Sequence, residues 1–289
     1  MSRTIPAWAR ALLLADRAVH STVRLAALAR TELLLAGLSD GEREAVNAAV
    51  FSAEDTYAPG GPTFAQGLFG WERTALATAP FPSSGRLLLG GAGGGRELAG
   101  LCALGYEVVA FEPAPGLAEA LARVAADHPK ASAYRGSYGD LVRAARGEGG
   151  ALAGAVGGGF DGVVLGWASL SHVTDAGART ALLEALRVIA PRAPVLLSYL
   201  GPDDDGRGNG RVEALRAPLR RWLAGVLGRT AAPGGAGFVP GAGFFERYTA
   251  GEIEALAEGA GYEVALHERE PYPHAIVVPR AAVASPASR

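Results

Sequence analysis

The sequence predicts an α/β fold: a doubly wound, mostly parallel seven-stranded sheet with an antiparallel last strand, preceded by an N-terminal helical lid. Three observations support this prediction. From residue 85 onward, short apolar runs alternate with helical segments, which is typical of a parallel sheet covered on both faces. The last two apolar runs are close enough along the chain to pair antiparallel. Residues 1–80, in contrast, have helical periodicity.

The strand candidates follow one another at regular intervals. The first five are RLLLG (86–90), YEVVAFEP (106–113), ASAYRGS (131–137), DGVVLGW (161–167) and APVLLSYL (193–200). A Gly/Asp loop and an inserted helix come next, and then a helix capped by Thr249. The chain closes with one strand, a turn at Pro271 to Pro273 and a last strand.

These elements suggest a division into parts. We expect a helical cap or lid over residues 1–80, an α/β domain over 81–280 and a flexible tail at 281–289. Within the α/β domain, segment 201–247 is expected to place its helix and loops over the active site. Three arginines of that helix, Arg216, Arg220 and Arg221, are interpreted as a solvated face.

Composition excludes several classes of function. The net charge is −2 and no basic stripe is present, so nucleic acid is not an expected partner. Cys102 is the only cysteine, which excludes an intramolecular disulfide and favours a cytoplasmic location. Charged residues interrupt the apolar N-terminus, so we expect neither a membrane span nor a signal peptide. Lys130 is the only lysine, which makes lysine-dependent mechanisms unattractive.

The stretch LLLGGAGGGRELAGL (87–101) places a glycine-rich loop between a strand and a helix. Open α/β sheets use this order to bring backbone against a ligand at the helix N-terminus. Glu112 ends the second predicted strand, 17 residues after Gly95, where an acid can accept both hydroxyls of a ribose. Loop and acid together predict a nucleoside-binding, Rossmann-like sheet.

Two features distinguish the sequence from a fully parallel dinucleotide-binding domain. The glycine pattern is GxGxG rather than GxGxxG, and the sheet ends in a predicted antiparallel pair. With these features the chain resembles the class I S-adenosylmethionine (SAM)-dependent methyltransferases. The resemblance rests on LLLGGAGGGRE, VVAFEP, GSYGDL, DGVVLGWASLSHV, RVIAPRAPVLLSYL and RYTAGEIEALAEGAGYEV, in the order of that family, over residues 85–279. It implies SAM as the cofactor.

The resemblance also implies a set of cofactor contacts. Gly91, Ala92 and Gly93 would back the adenosine and methionine parts, Glu112 would bind the ribose, Pro113 would pack near the adenine, Ser137 and Tyr138 would hold the adenine edge, and Gly166 and Trp167 would line the methionine side and the methyl donor.

The sequence departs from the family pattern at two positions. Leu89 stands where an acid often faces the amino group of the cofactor, and Ser137 stands where aspartate is common. The amino group then needs another partner: the carbonyl of Gly91, the carbonyl of Gly166 or the side chain of Glu97. Arg96 at the predicted helix start is a candidate for the cofactor carboxylate.

Methyl transfer needs alignment, a dry site and, for hydroxyl or ammonium acceptors, a general base. His172, just after the fourth predicted strand, is the base candidate, although a hydrogen-bonded loop histidine is the alternative interpretation. Tyr57, in a Pro/Gly loop, is a candidate to close over the methyl group. His172 and Asp175 fall short of a metal-ligand set, so no metal is expected.

The leading hypothesis is a SAM-dependent methyltransferase that methylates the oxygen or nitrogen of a small molecule, in specialised metabolism. A homodimer paired through the apolar N-terminal helices is a further expectation. The first alternative is an NAD(P)-dependent oxidoreductase, which shares the loop and acid, although the sequence has no Tyr-x-x-x-Lys pair. The second is a non-catalytic protein with the methyltransferase fold, which Leu89 favours.

Overall fold

The computed structural model describes residues 6–202, 210–229 and 235–280, and the chain divides into two compact units. One unit comprises Met1–Ser39 and Asp205–Gly237, and the other comprises Asp40–Asp204 and Phe238–Arg289. The predicted N-terminal helical region is thereby divided. Helix α1 (Ala7–Gly37) belongs to the first unit, whereas α2 (Asp40–Ser52) and α3 (Gly70–Leu76) belong to the second. The predicted tail at 281–289 lies outside the described residues.

In the first unit, ion pairs to a buried carboxylate of α1 connect this helix to the inserted helix, which spans Gly210–Val226. Glu32 is fully buried and accepts a 2.9 Å bond from Arg216 and a 2.6 Å bond from Arg220. The interpretation of Arg216 and Arg220 as a solvated face was wrong, because Glu32 provides a buried carboxylate for them. Among the described residues, no helix, α1 included, is long and apolar enough to cross a membrane.

The second unit contains the predicted sheet. Its first five strands are β1 (Arg86–Gly90), β2 (Glu107–Glu112), β3 (Ala131–Arg135), β4 (Gly162–Leu165) and β5 (Val195–Ser198). A separate two-stranded sheet consists of β6 (Ala236–Val239) and β7 (Gly243–Glu246), and the last strands are β8 (Tyr262–Glu268) and β9 (His274–Pro279). The seven-stranded order is β3-β2-β1-β4-β5-β9-β8, with β9 antiparallel to its neighbours. The predicted fold class is confirmed.

Helices cover both faces of this sheet. They are α4 (Arg96–Ala103), α5 (Pro115–Ala126), α6 (Tyr138–Ala145), α7 (Ala176–Ile189) and, after the inserted helix α8, α9 (Ala250–Gly259). Thr249 caps α9 as predicted, since its hydroxyl accepts from the backbone N–H of Glu252. Successive residues of β1 serve the two faces: Leu87 and Leu89 pack into one apolar cluster and Leu88 into the other.

The strand order positions the candidate site. Strand β1 pairs in parallel with β2 on one side and with β4 on the other, so the direction of winding reverses between β1 and β4. Ligands of open α/β sheets bind at the carboxyl ends of the strands beside such a reversal. Gly90, Glu112 and Leu165 are the last residues of β1, β2 and β4.

Candidate active site

A cavity of about 760 Å³ opens at the carboxyl ends of these strands, within the size range of small-molecule and cofactor sites. Ten of the twelve predicted site residues line it: Tyr57, Gly91, Ala92, Gly93, Arg96, Glu112, Pro113, Tyr138, Trp167 and His172. The other two, Ser137 and Gly166, are not part of its wall. Residues that are distant in the sequence are thus brought together around one concave surface.

Two positions of the glycine-rich loop require glycine. Gly91 has a φ of 65°, and a Cβ built there would lie 2.6 Å from the Cβ of Ser169. A Cβ on Gly94 would lie 2.4 Å from the carbonyl oxygen of Tyr57. Glycine therefore allows the loop to turn and lets the Tyr57 segment rest directly on it.

Glu112 presents a pre-oriented carboxylate to the cavity. Its Oε2 accepts a 2.9 Å bond from the N–H of Gly93, and its Oε1 accepts a 2.9 Å bond from the N–H of Ala114. The side chain is only 6% exposed. Burial raises the pKa of Glu112 to about 7, against the opposing effect of the two N–H donors. The group therefore changes charge near neutral pH.

Behind the loop lies an ion cluster of Glu72, Arg96 and Glu97, all three of them buried. Arg96 donates to both carboxylate oxygens of Glu72, at 2.7 and 2.6 Å, and to Oε1 of Glu97 at 2.7 Å. It also donates to the carbonyl of Gly67, and its guanidinium lies 4.0 Å from the ring centroid of Phe69. Burial raises the pKa of Glu72, and the charge of Glu97 raises it further.

This cluster bears on the predicted role of Arg96. Four of its five N–H groups donate to Glu72, Glu97 and the carbonyl of Gly67. The arginine lines the cavity, but as a group that holds two carboxylates in place rather than as a free fork for an anion. Contact between Arg96 and a cofactor carboxylate stays a prediction.

Ser137 and Tyr138, the two residues expected near the adenine edge, differ from each other in their surroundings. The hydroxyl of Ser137 caps α6 by accepting from the backbone N–H of Asp140, and this function accounts for its position outside the cavity wall. Tyr138 faces the cavity, and its hydroxyl forms a 2.6 Å hydrogen bond with Ser169. Burial raises the pKa of Tyr138, which keeps this hydroxyl protonated.

Gly166 supports the loop from β4. Its N–H donates a 2.8 Å bond to the carbonyl of Gly90, and a Cβ on Gly166 would lie 2.3 Å from the carbonyl oxygen of Gly91. The Gly91 carbonyl thus rests against Gly166. A side chain at position 166 would force the two segments apart.

The carbonyl of Phe244 sets the tautomer of the His172 imidazole. Its Nδ1 lies 2.8 Å from the carbonyl oxygen of Phe244, and because a carbonyl only accepts, Nδ1 carries the proton. In the neutral ring Nε2 is then the basic nitrogen. Burial lowers the pKa of His172, while the bond to Phe244 opposes that change. This geometry is compatible with a general base, and it is equally compatible with the alternative interpretation of a hydrogen-bonded loop histidine.

Tyr57 ends a 3₁₀ helix, Asp55–Tyr57, on the cavity wall. Its ring makes edge-to-face contacts with Phe51 at 5.8 Å and with Trp167 at 6.4 Å. Burial raises the pKa of Tyr57, with a further contribution from Glu54. Tyr57 is a wall residue beside the glycine loop, and its closing movement stays a prediction.

Sequence reasoning missed part of the wall. Helix α2 contributes Asn47 and Phe51, the segment after β6 contributes Ala242, and the turn before β9 contributes Tyr272. Phe51 could have been suspected, because it lies in the last turn of a helix directly before the Tyr57 loop. No sequence signal marks the other three, since only the tertiary fold brings them to the cavity.

Comparisons with known proteins give matches among solved structures. No protein-family model matches the sequence, and no curated protein sequence matches it either. The structure is similar to 1,6-didemethyltoxoflavin-N1-methyltransferase from Burkholderia thailandensis, solved with 1,6-didemethyltoxoflavin and S-adenosylhomocysteine bound. The identity is 17%, the match covers 83% of this chain and 89% of the other, and the TM-score is 0.52.

The CcbJ methyltransferase from Streptomyces caelestis is also similar, at 16% identity and a TM-score of 0.50. That match covers 79% of this chain and 96% of the other. At these identities the likeness concerns the fold. The chain has the fold of the class I SAM-dependent methyltransferases.

Proposed function

We propose that this protein is a SAM-dependent methyltransferase that transfers a methyl group to an oxygen or nitrogen atom of a small molecule, in specialised metabolism. The observation that carries the proposal is the carboxylate of Glu112. Two backbone N–H groups hold it at the end of β2, beside a glycine-rich loop on the same cavity wall. An acid so placed matches the two hydroxyls of a ribose.

The remaining wall fits the cofactor as well. Gly91, Ala92 and Gly93 offer backbone without bulky side chains, and Pro113 and Tyr138 offer apolar surface beside Glu112. The cavity also leaves room for an acceptor next to His172. The two structural neighbours are named as methyltransferases, and one of them contains a small aromatic substrate with S-adenosylhomocysteine, which is consistent with a small-molecule acceptor here.

Bound SAM would supply an activated methyl group with its own leaving group, so the protein has to align the acceptor and exclude water. In the proposal Trp167 and Tyr57 line the methyl side of the cavity. His172 receives the proton of a hydroxyl or ammonium acceptor at Nε2, and the Phe244 carbonyl keeps its ring in the required tautomer. Both assignments follow from position on the wall and from hydrogen bonding.

The proposal can be tested by calorimetry and by methyl transfer. The purified protein is expected to bind S-adenosylhomocysteine (SAH) and to transfer labelled methyl from SAM to members of a panel of phenols and amines. Binding of NADH in place of SAH would favour an oxidoreductase instead. SAH binding without turnover on any acceptor would favour the non-catalytic alternative.

The affinity for SAH is expected to depend on pH through Glu112. The ionised carboxylate accepts hydrogen bonds from hydroxyl groups more strongly than the protonated acid does, so binding lowers its pKa from the value of about 7 in the free protein. Affinity should therefore be greatest above about pH 7 and should fall by up to about tenfold per unit below it. Calorimetry in buffers of different ionisation enthalpy should detect proton release at about pH 6.

The control for this prediction is Glu112→Gln, which removes the titrating group and keeps one acceptor oxygen. Its SAH affinity should be lower and nearly independent of pH over the same range. A wild-type protein whose SAH affinity did not change between about pH 8 and pH 6 would contradict the assignment.

Replacement of the candidate base is expected to affect turnover rather than cofactor binding. His172→Gln should lower kcat with a hydroxyl acceptor by about 100- to 10,000-fold at saturating SAM, because the acceptor proton loses its receiver. SAH affinity should remain within about twofold, since the change lies outside the proposed cofactor contacts. Steady-state kinetics and calorimetry measure the two quantities.

The matched control is His20→Gln, on the exposed surface of α1, which should leave both quantities unchanged. Wild-type kcat should decline below the lowered pKa of His172 and stay level above it. If kcat were unchanged in His172→Gln, the general-base assignment would be wrong, and the function of His172 would be its structural hydrogen bond to Phe244.

A further inference from the structure

The cluster of Glu72, Arg96 and Glu97 has one positive charge for two carboxylates. Arg96 is the cation that both acids contact, so the cluster carries a net charge of −1 when both acids are ionised. All three side chains are at least nine-tenths buried. An excess charge in such surroundings is costly unless a further cation compensates it.

The two carboxylates are not equivalent. Both oxygens of Glu72 accept from Arg96, and Glu72 is not part of the wall of the 760 Å³ cavity. Glu97 lines that cavity and is 5% exposed. Its Oε1 accepts from Arg96 and from the N–H of Trp167 at 3.0 Å, whereas its Oε2 forms no hydrogen bond within the described part of the chain. Glu97 is therefore a buried residue of the cavity wall whose second carboxylate oxygen is not engaged by any described hydrogen bond.

The other two partners considered for the cofactor amino group are less suitable. The carbonyl of Gly91 rests against Gly166, and Gly166 itself does not line the cavity. Leu89, where the motif acid would stand, packs fully buried in the apolar cluster that also contains Leu98. Glu97 lies in the first turn of α4, and its charge is close enough to raise the pKa of Glu112.

We infer that Glu97 takes the place of the acid missing at Leu89 and binds the α-ammonium group of the methionine portion of the cofactor. The inference rests on the proposed function. The ammonium would donate to Oε2 and bring the buried cluster to electrical neutrality. Arg96 and the Trp167 N–H act as positioning groups, because they fix Oε1 and thereby direct the other oxygen.

The test compares two ligands that differ in this group. SAH contains the amino acid portion, whereas 5′-methylthioadenosine has the same nucleoside and sulfur without it. Glu97→Gln is expected to weaken SAH binding by about 10- to 100-fold in calorimetry. Binding of methylthioadenosine should change by less than about twofold, which also shows that the variant is folded.

Glu72→Gln is the matched control, because it removes the same charge from the same cluster at a residue outside the cavity wall. It should weaken SAH binding less than Glu97→Gln does, because it removes a charge but leaves the proposed contact at Oε2 of Glu97 in place. The inference is overturned if Glu97→Gln weakens both ligands equally, or if it leaves SAH binding unchanged. If the wild-type protein binds neither ligand, the proposed function fails and the inference fails with it. Glu112→Gln should weaken both ligands, which separates the ribose contact from the ammonium contact.

Discussion

Replacement of Glu112 with alanine is expected to weaken SAH binding by at least about 100-fold, measured by isothermal titration calorimetry at about pH 8. The carboxylate is the acid that Gly93 and Ala114 hold at the carboxyl end of β2. Its loss removes two charge-assisted hydrogen bonds to the ribose in the proposed complex, each worth about 1.5–3 kcal/mol. Among the described residues, no other acidic side chain accepts from the N–H of Gly93.

Glu107→Ala is the control, since Glu107 begins the same strand and is exposed at the other end of the sheet. Its ion pair with Arg86 lies at the surface and contributes little to stability. This variant should bind SAH like the wild type. Equal affinity of Glu112→Ala and the wild type would remove the central support for a nucleoside site.

The largest effect on stability is expected for Arg96→Met. Methionine fills a similar volume but leaves Glu72 and Glu97 buried without their shared cation. Breaking a buried ion pair from one side costs about 3–5 kcal/mol, because the remaining charge is uncompensated. Urea unfolding at about pH 8 should show a loss of this size in the free energy of unfolding.

The pH dependence provides the check on this mechanism. In Arg96→Met burial keeps the pKa of Glu72 higher in the folded than in the unfolded chain, so the penalty is absent at low pH and grows as pH rises through the folded value. Adding Glu72→Gln and Glu97→Gln to Arg96→Met should restore most of the stability. Arg123→Met, at an exposed position on α5, should have no measurable effect. A loss of stability that did not vary with pH would attribute it to packing against Phe69.

The sequence was most informative where local pattern and position coincide. The apolar runs predicted the strands, and the last two predicted the antiparallel end of the sheet, because strand patterns are properties of short segments. The loop and Glu112 could be placed together, since both follow strands whose carboxyl ends share one edge. The resemblance assigned Ser137 and Gly166 to cofactor contacts. The structure shows a capping box at Ser137 and a backbone contact at Gly166, and the cofactor contacts stay predictions.

The sequence could not predict ion pairs between residues that are far apart along the chain, because these pairs depend on the tertiary fold and not on local pattern. Arg220 was interpreted as solvated because arginines grouped on one helix more often form a solvated face than an anion site, whereas its buried partner Glu32 lies 188 residues away in the sequence. The cluster around Arg96 combines Glu72, 24 residues earlier, with an adjacent acid, and only the folded chain brings the first of them to it. Burial decides whether such charges matter, and no sequence pattern reports burial of a single charged residue.

In the proposed complex, the carboxylates of Glu97 and Glu112 would also distinguish the substrate form of the cofactor from the product form. In the proposed reaction the sulfur is a cation before transfer and a neutral thioether afterwards, so Glu97 and ionised Glu112 attract it only beforehand. In the proposed complex these two charges would therefore favour release of SAH over release of SAM. A methyltransferase with this arrangement would be less inhibited by its own product.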